Sequence, residues 1–148
     1  MTVTIPARRA PGLVAALLLA VTSAASATAA EAPEQIAGAT TVNAEGVIAL
    51  IGAHPDLIIL DNRREGDFAA GHIEGAVRLI DTDITGPEVL AAHVPTTDTP
   101  VLFYCNGLSC GRAANAVQMA VGWGYGAVHY YALGMTEWNA MGLPVVSQ

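Results

Sequence analysis

The sequence predicts an α/β domain built on a mainly parallel central sheet flanked by short helices. Two observations carry this. The runs Leu57–Leu60 and Val101–Tyr104 are apolar at every position, the pattern of strands buried on both faces rather than one. Between such runs lie helix-forming stretches punctuated by Gly and Pro, so strands and helices alternate along the chain.

Each element has a local reason. Residues 31–39 read as a loose lead-in, and Thr40-Thr41-Val42 as a short edge strand. Asn43 is a good helix N-cap for Ala44 to Ile51, and Gly52 is expected to end that helix. Pro55-Asp56 turns the chain into the first buried strand, which Asp61 closes. Arg64 to Ala70 reads as a short helix stopped by Gly71, and Ala76 to Ile80 as another strand. Gly86-Pro87 opens a helix through Ala92. Pro100 precedes the central strand Val101–Tyr104, and the Ala-rich text from Arg112 is helix-forming until Gly122. Val128 to Tyr131 is a further strand, and Met135 to Met141 a last short helix ended by Gly142 and Pro144.

The stretch with chemistry in it is Cys105 to Arg112. Cys105 stands where the central strand ends, and Asn106, Gly107 and Ser109 turn the chain at once toward a helix. Sites in open parallel sheets lie at the carboxyl ends of strands, the position of both Cys105 and Asp61. Backbone N–H groups of such a loop, with about half a positive charge at the helix N-terminus, stabilise an anion. A thiolate or a persulfide on Cys105 is such an anion. Arg112 falls in the first helical turn, where a cation opposes the helix dipole. Two readings stay open for it: part of an anion-binding mouth, or a solvated side chain.

Bulk composition narrows the function. The 148 residues suit one domain. Residues 1–30 carry the marks of a cleavable export signal: Arg8 and Arg9, the apolar run Leu13 to Val21, then Ala27-Thr28-Ala29 in A-x-A form. The apolar run is too short to span a bilayer. No Cys stands near the cleavage region, which argues against a lipoprotein. The expected location is therefore the periplasm, with no membrane attachment after cleavage. The part from Glu31 onward holds four arginines, no lysine and thirteen acidic residues, a net of about −9. Nucleic acid is disfavoured as a partner.

Export places Cys105 and Cys110 in an oxidising compartment. A disulfide between residues five apart closes a very short loop, so chemistry is a better reason for the pair than stability. Two Cys with one His leave zinc short of ligands, so no metal and no cofactor are expected. The pair is expected to form a reversible, inactive disulfide, with the loop geometry as the open step.

Three stretches then resemble a known family. Asp61-Asn62-Arg63 followed by Gly71-His72-Ile73-Glu74-Gly75-Ala76 resembles the rhodanese signature. The Cys105 loop lies where rhodaneses keep their sulfur-carrying cysteine. Leu133-Gly134-Met135-Thr136-Glu137-Trp138 and Gly142-Leu143-Pro144-Val145 resemble the family's Gly-Gly-x-x-x-Trp…Gly-Leu-Pro close. The resemblance implies a single rhodanese-like domain over residues 40–148. It implies a sulfurtransferase in which Cys105 takes sulfane sulfur from a donor such as thiosulfate or a persulfide, and passes it to a nucleophilic acceptor. The loop Asn106, Gly107, Leu108, Ser109, Cys110, Gly111 and Arg112 would hold that persulfide. A protein sulfur acceptor or a thiol reductant is a further implied partner. Asp61, Arg63 and His72 would be structural: the first two as a local ion pair, His72 as a hydrogen-bonded residue in a tight turn. Trp138 would be core.

The chain also departs from the pattern. Cys110 occupies the place, five after the nucleophile, where the common loop has Arg or a small polar residue. Arg112 comes seven after Cys105, which misses the Cys-x5-Arg phosphate loop of cysteine phosphatases. The paired glycine is Leu133-Gly134 here. The Cys pair with an export signal is similar to exported rhodanese-like proteins associated with quinoprotein alcohol oxidation, but those carry Trp after the second cysteine, where this chain has Gly111. Two other functions stay open beside sulfur transfer. One is a thiol–disulfide or peroxide-responsive protein with Cys110 as resolving cysteine. The other is a non-catalytic binding module on the same fold.

Overall fold

The computed structural model describes Met1, Thr2 and residues 31–148, so the expected export signal lies outside the described residues. The strands are β1 (Thr40–Thr41), β2 (Ile58–Asp61), β3 (Val77–Arg78), β4 (Val101–Tyr104) and β5 (Val128–Tyr131). They form one sheet in the order β1-β5-β4-β2-β3, with every pair parallel. The helices are α1 (Ala44–Ala53), α2 (Glu65–Ala70), α3 (Pro87–Ala91), α4 (Arg112–Gly122) and α5 (Gly134–Ala140), with a 3-10 turn at Asp81–Asp83. The domain is α/β with short helices on both faces of the sheet, as the two apolar runs predicted.

The strand β4 lies at the centre, paired with β2 and β5, and its four residues are each 0% exposed. Alternation along it sets the two cores. Val101, Phe103 and Cys105 pack with Leu60, Leu90, Val117 and Tyr130 on one face; Leu102 and Tyr104 pack with Val47, Met135 and Trp138 on the other. On α4 the buried residues are Ala113, Ala114, Ala116, Val117 and Ala120, small side chains that let the helix lie close on the sheet. Its N-terminal turn is thereby fixed beside the end of β4. Trp138 is buried, donates its indole N–H to the Pro144 carbonyl at 2.9 Å and meets Tyr131 edge-on. The Glu137 carboxylate accepts the Ala44 N–H at 2.9 Å, so α5 caps the positive end of α1.

Several boundaries differ from the sequence expectations. Gly52 does not end α1, which runs to Ala53 and closes with the His54 N–H on the Leu50 carbonyl. Gly52 has open space around its Cα, so nothing local forces a stop there. The expected 76–80 strand is shorter: Val77–Arg78 is in register with β2, and the Leu79 N–H on the Asp61 carbonyl at 2.9 Å is its last bond to that strand. The last helix starts one residue earlier, at Gly134, and ends at Ala140. The lead-in is not loose. Ala32 is buried and donates its N–H to Leu108 O at 2.6 Å, and the Tyr130 hydroxyl donates to the Pro33 carbonyl at 3.0 Å. Its apolar residues Ala32, Ile36 and Ala39 belong to the α4-side core, which a polar, Pro-containing text did not advertise.

His129 on β5 gives a pH-dependent stability. Burial, with the nearby His54 charge adding, holds its imidazole below the ordinary value. The unfolded chain therefore binds the proton more readily than the folded one, so the stabilisation is present above about pH 6.5 and is lost as pH falls through the depressed value. The melting temperature is expected to drop as the pH is lowered from 7 toward 5, and His129→Gln to flatten that part of the profile. A profile unchanged by the substitution would assign the pH dependence elsewhere.

Candidate active site

The site is built at the carboxyl edge of the sheet. Asp61 ends β2 and pairs in register with Tyr104, the last residue of β4, so Asn62 and Cys105 each lie one step beyond the ladder. The Asn62 N–H donates to the Tyr104 carbonyl at 2.9 Å and its side-chain amide to the Leu79 carbonyl at 2.7 Å. Its Oδ1 is buried with no donor among the described residues.

Cys105 keeps the alternation of β4, so its side chain joins the α4-side core, and it is only 2% exposed. The loop then turns through Gly107 to Cys110, closed by the Cys110 N–H on the Gly107 carbonyl at 2.9 Å. Among the described residues, the amides of Asn106, Gly107, Leu108, Ser109 and Gly111 have no hydrogen-bond acceptor. Gly111 stands at the N-cap of α4, and no side chain caps that end. N–H donors without acceptors among the described residues and a helix N-terminus therefore follow the cysteine directly in the loop, a composition that favours negative charge.

Cys105 and Cys110 are joined by a disulfide, with their Cα atoms 6.2 Å apart, inside the range such a bond needs. The loop curls enough to bring its far end back to its first residue. Arg112 lies beside the loop, between the Cys110 sulfur and a carboxylate. Its Nη1 is 3.8 Å from the Cys110 sulfur and its Nε 3.7 Å from Asp81 Oδ1, with the side chain about a third exposed. Asp81 also accepts from the Asn115 side chain at 2.9 Å, so a carboxylate sits over the first turn of α4 and offsets the misplaced arginine.

The helix α5 holds the loop from the other side. The Cys105 carbonyl accepts the Met135 N–H at 3.0 Å, and the Asn106 carbonyl accepts from the Thr136 N–H at 2.8 Å and its hydroxyl at 2.7 Å. Gly134 makes this approach possible: its φ is +51°, and a Cβ there would overlap the Cys105 carbonyl. Gly134→Ala is expected to cost roughly 2 kcal/mol from the left-handed backbone and more from the overlap, read as a lowered urea midpoint. A midpoint within experimental error of the parent would show that α5 does not fix the loop.

Asp61 and Arg63 form a buried pair. The Arg63 Nε lies 3.0 Å from Asp61 Oδ1 and its Nη2 2.7 Å from Oδ2, while the Arg63 N–H donates to Oδ1 at 2.9 Å. Burial opposes the guanidinium charge, but hydrogen bonding to Asp61 and its charge more than offset this, and the pKa lies above the ordinary value. The same Nη2 donates to the Gly71 carbonyl at 2.7 Å, and Nη1 reaches Asn106 Oδ1 at 3.5 Å. Arg63 thus touches the cysteine loop as well as its own turn, a connection forty-three residues long in sequence that no local pattern announces. Arg63, Asp67, Gly71, Asn106, Met135 and Thr136 line a cleft of about 420 Å³ beside the loop. His72 lies outside it. Its Nδ1 is 2.8 Å from the Phe68 carbonyl and its ring stacks on Phe68 at 3.7 Å, which holds the tight turn after α2.

Comparison with known proteins agrees with this architecture. Residues 43–141 match the family model described as the rhodanese-like domain. An uncharacterized protein, YibN, of Escherichia coli is 32% identical over 94 residues, covering 62% of each chain. The HTH-type transcriptional regulator Rv0324 of Mycobacterium tuberculosis is 33% identical over 90 residues, covering 61% of this chain and 38% of that protein. The chain thus spans under two thirds of the length of these relatives. Among solved structures, the polysulfide-sulfur transferase of Wolinella succinogenes superposes with a TM-score of 0.60 at 22% identity, covering 76% of this chain and 81% of that one. The thiosulfate sulfurtransferase of Pseudomonas aeruginosa gives 0.60 at 22% identity, covering 74% of this chain and 20% of that one. With the sheet order, the cysteine at the end of the central strand and the match over residues 43–141, the chain belongs to the rhodanese-like domain family.

Proposed function

We propose that this chain is a periplasmic sulfurtransferase that carries sulfane sulfur as a persulfide on Cys105. The observation that carries the reading is the position of Cys105: first residue after β4, followed by amides without acceptors among the described residues and by the N-terminus of α4. Such a cradle favours a thiolate, the form that attacks a sulfur donor, and then the persulfide anion that results. The donor is a small sulfur compound of the thiosulfate or persulfide type, and the acceptor a thiophilic molecule or protein thiol. The sulfurtransferases that share this fold support the assignment. The signal-like text of residues 1–30 supports the periplasm as the location, which would make a thiol reductant a required partner, since a disulfide-bonded Cys105 can accept no sulfur.

The disulfide favours a second reading, a thiol–disulfide protein with Cys110 as resolving cysteine. One measurement separates the two. The reduced protein is treated with thiosulfate under conditions that block Cys110 and its mass is taken. A gain of one sulfur lost again on adding cyanide supports the sulfurtransferase. No gain leaves the redox reading in its place.

A further inference from the structure

We propose that the loop discharges its own persulfide: Cys110 attacks the inner sulfur of the Cys105 persulfide, closing the disulfide and releasing sulfide. This rests on the sulfurtransferase reading and adds a second activity to the same site. Each loaded sulfur would then leave either as sulfide or by transfer to an acceptor.

The structure supplies the geometry. The Cys105–Cys110 bond shows that the Cys110 sulfur reaches the Cys105 Sγ itself, the inner atom of a persulfide. Attack on the outer sulfur would only move the persulfide to Cys110 and could reverse. Attack on the inner sulfur ends in the bond observed. The two residues share one loop held by the Cys110 N–H on Gly107 O, so the attacking thiol is present at an effective concentration of the order of millimolar or more. The Nη1 of Arg112, 3.8 Å from the Cys110 sulfur, favours the thiolate form of the attacker. The amides from Asn106 to Ser109, without acceptors among the described residues, are available to the departing hydrosulfide anion as to the persulfide. Cys105 is buried and Cys110 half-buried, so an outside thiol meets competition from one already in place.

The steps balance. The Cys105 thiolate attacks the outer sulfur of thiosulfate, and sulfite leaves with the electron pair of the broken sulfur–sulfur bond. The Cys110 sulfur then forms a bond to Cys105 Sγ, and the bond from Sγ to the outer sulfur breaks. That sulfur leaves with the electron pair and takes up one proton, the one Cys110 gave up on becoming the thiolate and passed to solvent, so that hydrosulfide is released. Two thiols are oxidised to one disulfide, and one sulfane sulfur is reduced to sulfide. A further cycle needs an external dithiol, which reopens the bond by exchange.

The test uses the reduced protein, freed of reductant and mixed with excess thiosulfate. Sulfide, free thiols and protein mass are followed together. The parent chain is expected to release one equivalent of sulfide, lose both thiols and gain no sulfur, at a rate independent of protein concentration. The Cys110→Ser variant is expected to retain one added sulfur and to release no sulfide. Sulfur retained by both proteins, with the parent's sulfide release absent, would overturn the self-discharge and leave sulfur carriage standing. Failure of Cys110→Ser to gain any sulfur would overturn sulfur carriage on Cys105 and the discharge with it.

Discussion

Purified Cys105→Ser is expected to lose sulfur transfer from thiosulfate to cyanide by roughly a thousandfold or more, the scale seen when a covalent nucleophile is removed. A hydroxyl at this position has no sulfur to carry, whatever the cradle around it does. The substitution also removes the disulfide. In the chain-entropy account, closing so short a loop stabilises by at most about 2 kcal/mol. The variant should therefore melt below the oxidised parent and close to the reduced parent. The residue is only 2% exposed and changes by one atom, so the reduced comparison isolates chemistry from packing. Substantial activity in the variant, assayed with dithiothreitol present, would move the nucleophile to Cys110.

Asp61→Ala is expected to cost about 3–5 kcal/mol, the range for removing one partner of a buried ion pair. Asp61 is 0% exposed and Arg63 5%, and the carboxylate meets the Arg63 guanidinium and the Arg63 N–H. Without it a buried cation keeps the Gly71 carbonyl, a long contact to Asn106 and the face of the Tyr104 ring, none of them a counter-charge. Tyr104 offers no substitute: burial, with the Asp61 charge adding, pushes its hydroxyl well above the usual range, so it stays neutral. The double variant Asp61→Ala/Arg63→Ala should be more stable than the sum of the two single losses, because the uncompensated charge is gone. Urea denaturation of the four proteins measures this coupling. Strict additivity would show that the pair contributes no mutual stabilisation.

The same pair shows where a sequence can and cannot be read. That Asp61 and Arg63 meet is what the resemblance at the strand end implied, and two residues so close in sequence make it a local matter. That Arg63 also reaches Asn106 depends on β2 and β4 being neighbours in register. Likewise Gly134 read as half of a departed glycine pair, whereas its role as the point where α5 admits the Cys105 carbonyl exists only once β4 and β5 lie side by side.

Legible in the amino-acid text alone were the α/β class, the buried strands Val101–Tyr104 and Val128–Tyr131, the helix from Arg112 to Gly122 and the placing of Cys105 at a strand end. These follow from apolar periodicity and turn chemistry, which act over a few residues. The tertiary structure decided the sheet order, the docking of Ala32 on the cysteine loop, the seat of Arg112 between Asp81 and Cys110, and the meeting of the two cysteines. Each of these joins groups through packing or chain reversal, and their energy depends on distances that only the folded chain sets.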